Sequence, residues 1–296
     1  MIVGTGNVGA SIAFALVNQR TAVNELILTD INEQDAEGEA MDLRDALPVA
    51  PSFMKIRSGS YNDASDCDII ILTAGAPQKP GEPRTELISK NATIFKDIVS
   101  QIMKTDFNGI FLVVTNPMDA LTYLTWQYSG LPSEQVIGTG TVLDSARLRH
   151  RIAERLSVHP KSVHAYQIGE HGDSELTVWS AADVGGQKLT TILRDDECEA
   201  ISNDIRNEVY RIIEKKGATY YGIGACVVQI INCILNDEWR VLAVSSYDDF
   251  TDTYNGFPTV LGRNGVVRRL HLDMTEQEGI AFQKSINAIK NSIKSL

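Results

Sequence analysis

Apolar positions change their period along the chain. In the first half, Leu26-Ile27-Leu28, Ile69-Ile70-Ile71-Leu72 and Ile110-Phe111-Leu112-Val113-Val114 are apolar throughout, the pattern of strands covered on both faces. Between them lie stretches with helical spacing, such as 10–19 and 33–46. Strands alternating with helices predict right-handed crossovers and an α/β, Rossmann-type, doubly wound parallel sheet. Near Gly138-Thr139-Gly140 the texture shifts. Helical patterns over 143–155, 195–215, 222–235 and 277–294 then surround shorter strands near Val178 and Val241, a mixed α+β arrangement. The Asn-Gly pair in Arg263-Asn264-Gly265 marks a hairpin. Two domains are expected, 1–138 and 139–296.

The first helix pattern is preceded by Gly4-Thr5-Gly6-Asn7-Val8-Gly9, directly after Ile2-Val3. A lone G-x-G-x-x-G is weak, but here it joins a strand to a helix. The first glycine, Gly4, permits the tight turn, Gly6 lets a pyrophosphate approach the backbone, and Gly9 lets helix and strand pack closely. Asn7 and Val8 start a helix whose free N–H groups face phosphate. Asp30, at the end of the next strand pattern, stands where a carboxylate accepts both ribose hydroxyls. No arginine follows it to receive a 2′-phosphate, so NAD is expected rather than NADP. Only Met1-Ile2-Val3 precede Gly4. The first strand is therefore expected either to be stunted or to begin upstream of Met1.

Composition narrows the class. The 296 residues are 43% hydrophobic and 22% charged, with no apolar run long enough to cross a bilayer and no basic lead before an apolar start. A formal charge of −11 argues against general affinity for nucleic acid or anionic membrane. Cys67, Cys198, Cys226 and Cys233 have no metal-like spacing and read as reduced thiols of a cytoplasmic protein. No HxxxH or clustered His/Asp/Glu set is visible, so no metal is expected.

Candidate chemistry lies in Leu143-Asp144-Ser145-Ala146-Arg147 and Gly169-Glu170-His171-Gly172-Asp173. Asp144 and Arg147 share a helix face. A buried carboxylate bonded to one imidazole nitrogen fixes the tautomer and steadies the imidazolium, so His171 can give a proton to a carbonyl oxygen and take it back. An arginine fork grips a carboxylate in a bidentate way. Spacing alone leaves open a surface ion pair and a merely satisfied histidine.

These two motifs, with Thr115-Asn116-Pro117-Met118-Asp119 and the segment from Ala74 to Arg84, resemble those of the L-lactate/L-malate dehydrogenase family. The likeness runs in order from Gly4 to the final helix pattern. It implies NAD-dependent hydride transfer to a small 2-keto acid. His171 is then the proton donor and acceptor, Asp144 its partner, and Arg147 the anchor for the substrate carboxylate. Arg84, on a loop hinged by Gly75 and Gly81, polarises the reacting carbonyl as the loop closes. Asn116 bonds substrate and cofactor, Thr219 walls the substrate pocket, and Ile223 backs the nicotinamide.

Family members separate their substrates at the position of Gln78. A neutral amide there implies pyruvate, whereas malate-type members carry arginine to meet a second carboxylate. Lys79 beside it does not change this, because lactate-type members also carry a lysine there. Glu208-Val209 before Tyr210, where lactate-type members have small alanines, Pro83 in place of a threonine, and the segment 256–263 leave a branched-chain (hydroxyisocaproate-type) member as the alternative. Arg149 and His164 match the basic pair with which bacterial members bind fructose bisphosphate between subunits. The resemblance therefore also implies a homotetramer under allosteric control, serving glycolysis and pyruvate fermentation.

Overall fold

The computed structural model describes residues 1–76 and 84–295, with side chains described for 1–76 and 87–295. The first half alternates as expected: β1 (Ile2–Val3), α1 (Asn7–Asn18), β2 (Glu25–Thr29), α2 (Glu33–Ala46), β3 (Lys55–Ser58), β4 (Ile69–Leu72), α3 (Arg84–Ile102), β5 (Ile110–Val113), α4 (Met118–Ser129) and β6 (Val136–Gly138). All six strands are parallel, in the order β6-β5-β4-β1-β2-β3, so the two halves wind outward from β1 and β4. The strands of the centre are buried because helices cover both faces. One core packs β1, β2, β4 and β5 side chains (Ile2, Leu28, Ile71, Leu112) against α1 and a later helix. The other packs Val3, Ile70, Phe111 and Val113 against Phe95, Val99 and Leu121 of α3 and α4. β1 has two residues, paired on both sides with Leu28 and Ile71, and the Met1 amino group donates to the Ile69 carbonyl at 2.8 Å.

The second half holds α5 (Val142–Leu156), the short strands β7 (Val163–His164), β8 (Gln167–Ile168), β9 (Leu176–Thr177), β10 (Asp183–Val184) and β11 (Gln187–Lys188), then α6 (Asp195–Lys216), α7 (Tyr221–Leu235), β12 (Arg240–Asp248), β13 (Thr253–Gly262), β14 (Gly265–Arg269) and α8 (Glu276–Lys294). One expectation needs correcting. The strand near Val241 is not short: β12 spans nine residues. It joins the large sheet through Ser245 opposite Gly138, and β13 and β14 extend that sheet antiparallel. The predicted hairpin is present, with Gly262 opposite Gly265. Its left-handed position falls on Gly265 (φ +98°), while Asn264 keeps a negative φ. This matches a turn closed by a glycine bulge rather than an Asn-Gly turn with both centres left-handed. Among the described residues, no helix is long and apolar enough to cross a membrane.

Candidate active site

The chemistry collects at the carboxyl ends of the parallel strands, where doubly wound sheets bind ligands. β1 runs into Gly4, β2 into Asp30 and β5 into Asn116. At Gly4 φ is +100°, and a Cβ there would lie 2.5 Å from the Ala74 nitrogen. A Cβ on Gly9 would overlap the Gly4 carbonyl oxygen. A Cβ on Gly6 would meet nothing within 4 Å, so at this glycine the backbone borders open space at the start of α1. That is the cradle a pyrophosphate fills, on the positive end of a helix dipole. The Asp30 carboxylate is steered toward this turn: Thr5 donates to it from its N–H at 2.7 Å and its hydroxyl at 3.1 Å, and the Asn32 N–H donates at 3.1 Å. Val8 and Ile223 pack against one core beside Leu143.

A cavity of about 280 Å³ opens next to Asn116. Its lining includes Asp144, Arg147, His171, Glu175, Val209 and Tyr210. His171 Nδ1 and an Asp144 oxygen are 2.7 Å apart, and the other Asp144 oxygen accepts from Arg147 Nη1 at 3.0 Å. The Asp144 side chain is 5% exposed and that of His171 is 26% exposed. Burial disfavours the Asp144 charge, yet His171 and Arg147 together hold its carboxyl below the usual range. Burial likewise opposes the His171 charge, but the Asp144 carboxylate prevails and raises the imidazole to about 9. The histidine is thus loaded with a proton at neutral pH. The constellation read from separate motifs is one contiguous unit.

Other expected positions fall elsewhere. Gln78 lies outside the described residues, as does the side chain of Arg84, whose backbone opens α3. Thr219 and Ile223, around the start of α7, do not line this cavity. Arg149 projects from α5, half-buried, with Tyr166 and Arg240 near it; among the described residues it makes no ion pair. His164 lies exposed on β7. Of the pair before Tyr210, only Val209 faces the cavity; Glu208 turns away to an Arg151 nitrogen at 2.8 Å.

Sequence reasoning missed three residues. Asp119, inside the quoted Thr115–Asp119 motif but given no task, is 3% exposed in the first turn of α4. It accepts the His171 backbone N–H at 2.8 Å and the Ser245 hydroxyl at 2.6 Å. Burial pushes its carboxyl up to about 7, against those two donors. It therefore fixes the backbone that carries the His171 ring. Asn91 of α3 is the second: it accepts from the Ala76 N–H at 2.8 Å and donates to the Asn116 carbonyl at 2.9 Å. Glu175 is the third, and the fold places it with Asp144 and His171 in a cluster that the linear sequence does not display. Replacing Asp119 by alanine removes the acceptor of the His171 N–H and loosens the His171 loop. We expect kcat/KM to fall about 10- to 100-fold with cofactor affinity unchanged. Steady-state kinetics and an NADH titration check this; an unchanged kcat/KM refutes it.

Comparison with known proteins decides the family. Residues 1–138 match the profile described as lactate/malate dehydrogenase, NAD binding domain, and residues 141–296 match lactate/malate dehydrogenase, alpha/beta C-terminal domain. The chain belongs to the lactate/malate dehydrogenase family. It is 50% identical to L-lactate dehydrogenase 2 of Bacillus cereus (strain ZK / E33L) and to that of Bacillus anthracis, in each case over 99% of this chain and 96% of the relative. The minor L-lactate dehydrogenase from Enterococcus mundtii in its ligands-bound form superposes with a TM-score of 0.97 at 44% identity, covering 100% of this chain and 97% of that one. MGS-M5, a lactate dehydrogenase enzyme from a Medee basin deep-sea metagenome library, gives 0.97 at 42%, over 99% and 97%. This lactate/malate dehydrogenase family member is accordingly an NAD-dependent oxidoreductase acting on small molecules, and the Gly4–Gly9 turn with Asp30 fits the cofactor its N-terminal domain binds.

Proposed function

We propose that the protein is a cytoplasmic NAD-dependent L-lactate dehydrogenase that interconverts pyruvate and L-lactate. The observation that carries this reading is the buried Asp144 held by Arg147 on one oxygen and His171 on the other, at the wall of one small cavity. NADH, when bound, supplies the hydride. Residues 1–138 hold it through Gly4, Gly6, Asn7, Val8, Gly9, Asp30 and Asn116, with Ile223 of the second domain backing the nicotinamide, and residues 139–296 supply most of the substrate machinery. Arg147 receives the substrate carboxylate with its guanidinium fork. His171, proton-loaded and turned by Asp144, gives its proton to the carbonyl oxygen as charge develops there and removes it from the hydroxyl in reverse. Arg84 polarises the same oxygen and Asn116 bonds it. Closure over the site removes water and strengthens each charge interaction.

Pyruvate is favoured over larger or doubly charged acids. Gln78 gives a second carboxylate no cation, and an unpaired buried charge is costly. Val209, where lactate-type members have a small alanine, takes volume from the cavity, which disfavours a branched side chain. Arg149 and His164 form the anion site for fructose bisphosphate between subunits of a homotetramer; a half-buried guanidinium with no carboxylate partner among the described residues suits that role. The experiment is NADH oxidation near neutral pH with pyruvate, oxaloacetate and 2-ketoisocaproate, each with and without fructose bisphosphate. We expect kcat/KM for pyruvate to exceed the other two at least about tenfold, with a lower half-saturation in the bisphosphate. A preference for 2-ketoisocaproate would overturn the substrate assignment. Unchanged pyruvate dependence and oligomer size in the bisphosphate would overturn the effector site.

A further inference from the structure

A second carboxyl faces the catalytic histidine. Glu175 follows His171 by four residues, and its N–H donates to the Gly172 carbonyl at 3.2 Å, a turn that folds the side chain back toward the ring. One Glu175 oxygen, one Asp144 oxygen and one His171 ring nitrogen lie within 4.8 Å of one another. Glu175 is 7% exposed and lines the same cavity. Among the described residues its carboxyl makes no hydrogen bond and no ion pair. The reaction as derived above gives it no task.

Charge arithmetic supplies one. Among the described residues, the charged groups around Glu175 are Asp144 and Arg147 of α5, Asp119 of α4, Arg206 of α6, and Glu170, His171 and Asp173 of its own loop. Asp119 is satisfied by the His171 N–H and Ser245, and Asp173 accepts the Tyr210 hydroxyl at 2.5 Å. Arg206 sits exposed on the rim, screened by water. Two carboxyls this close in a buried site do not both ionise at neutral pH, and the one without donors keeps its proton. Asp144 has both donors. Burial and the Asp144 charge push the Glu175 carboxyl well above the usual range, against His171, Arg147 and Arg206. With Glu175 neutral, protonated His171 and Arg147 outweigh Asp144 by one positive charge, which one substrate carboxylate neutralises. With Glu175 ionised that surplus is gone, and among the described side chains no net positive charge is left to offset an entering anion.

We propose that Glu175 sets the charge of the substrate cavity: its protonated form admits the carboxylate of a 2-keto acid, and loss of that proton closes the cavity to the anion while His171 still carries its own. The proposal rests on the reading of this cavity as a keto-acid site. Its test is the pH dependence of kcat and KM for pyruvate with saturating NADH, from pH 6 to 10.5, for the native protein, Glu175→Gln and Glu175→Asp. In the native protein the first alkaline loss is expected as a rise in KM with kcat retained. In Glu175→Gln the alkaline limb of kcat/KM is expected to move to higher pH, with more activity retained above the native limb relative to its own neutral plateau. Glu175→Asp keeps a limb. A Glu175→Gln limb that stays in place or moves down, whatever its plateau, overturns the proposal, and so does a native limb carried by kcat at constant KM. Native protein that binds NADH yet turns over no 2-keto acid refutes the functional reading itself, a failure seen without any variant.

Discussion

Replacing His171 by glutamine is expected to lower kcat for NADH-driven pyruvate reduction by about 10²- to 10⁴-fold, the range a positioned general acid contributes. Glutamine retains polar atoms and comparable bulk but has no proton to give to the carbonyl oxygen. Cofactor affinity should not change, because His171 lies on the loop before β9, apart from the Gly4–Gly9 turn and Asp30. Asp144→Asn is expected to act through the same ring. The amide still reaches Nδ1 at the 2.7 Å position but no longer supplies the charge that lifts the imidazole, so less of the ring is protonated at neutral pH. Stopped-flow NADH oxidation separates the chemical step from product release. A His171→Gln variant within tenfold of native would remove the histidine from the mechanism.

The second large effect belongs to Arg147. Arg147→Lys keeps the charge and loses the planar fork, so it cannot hold Asp144 and a substrate carboxylate together. Disrupting a buried, hydrogen-bonded charge pair costs roughly 2–5 kcal/mol, which puts the loss of kcat/KM for pyruvate at about 30- to 5000-fold. Most of it should appear as a higher KM, since the carboxylate is bound in both ground and transition states. Part should appear in kcat, because Asp144 loses a donor that helps keep it ionised. Steady-state kinetics on Arg147→Lys and Arg147→Gln check this, and a KM within threefold of native for both would show that another cation anchors the substrate.

What was legible in the sequence follows from which pattern each element had to show. β2, β4 and β5 are buried on both faces and cannot hide their apolar runs. β13 was not singled out, although it is buried along its length, because it contains Thr253, Asn255, Gly256, Pro258 and Thr259. Its polar groups are satisfied across the sheet rather than removed: Arg269 Nη2 donates to the Asn255 side chain at 2.9 Å and Nη1 to the Ser246 carbonyl at 2.8 Å, with the guanidinium over the Phe257 ring. No local period reveals that. The site was legible as motifs, not as contacts. Asp144 and His171 are far apart in sequence and meet because α5 lies against β8, which leads into the His171 loop. Asp119 acts through a backbone N–H and Glu175 through its charge, so neither makes the side-chain pairing that a spacing argument searches for. The orientation of Glu208 and Val209 also needed the helix, since adjacent residues on α6 face different neighbours.

In the proposed mechanism Asp144 keeps His171 charged with the proton it donates. NMR of the protein with ¹³C-labelled histidine tests it most directly. There are five histidines, and the His171 signal is assigned by its loss in His171→Gln. The imidazole is expected to be still protonated at pH 7.5 and to titrate near 9. A ring that titrates near its ordinary 6.5 would contradict it, because the histidine would then be neutral where the enzyme must supply a proton.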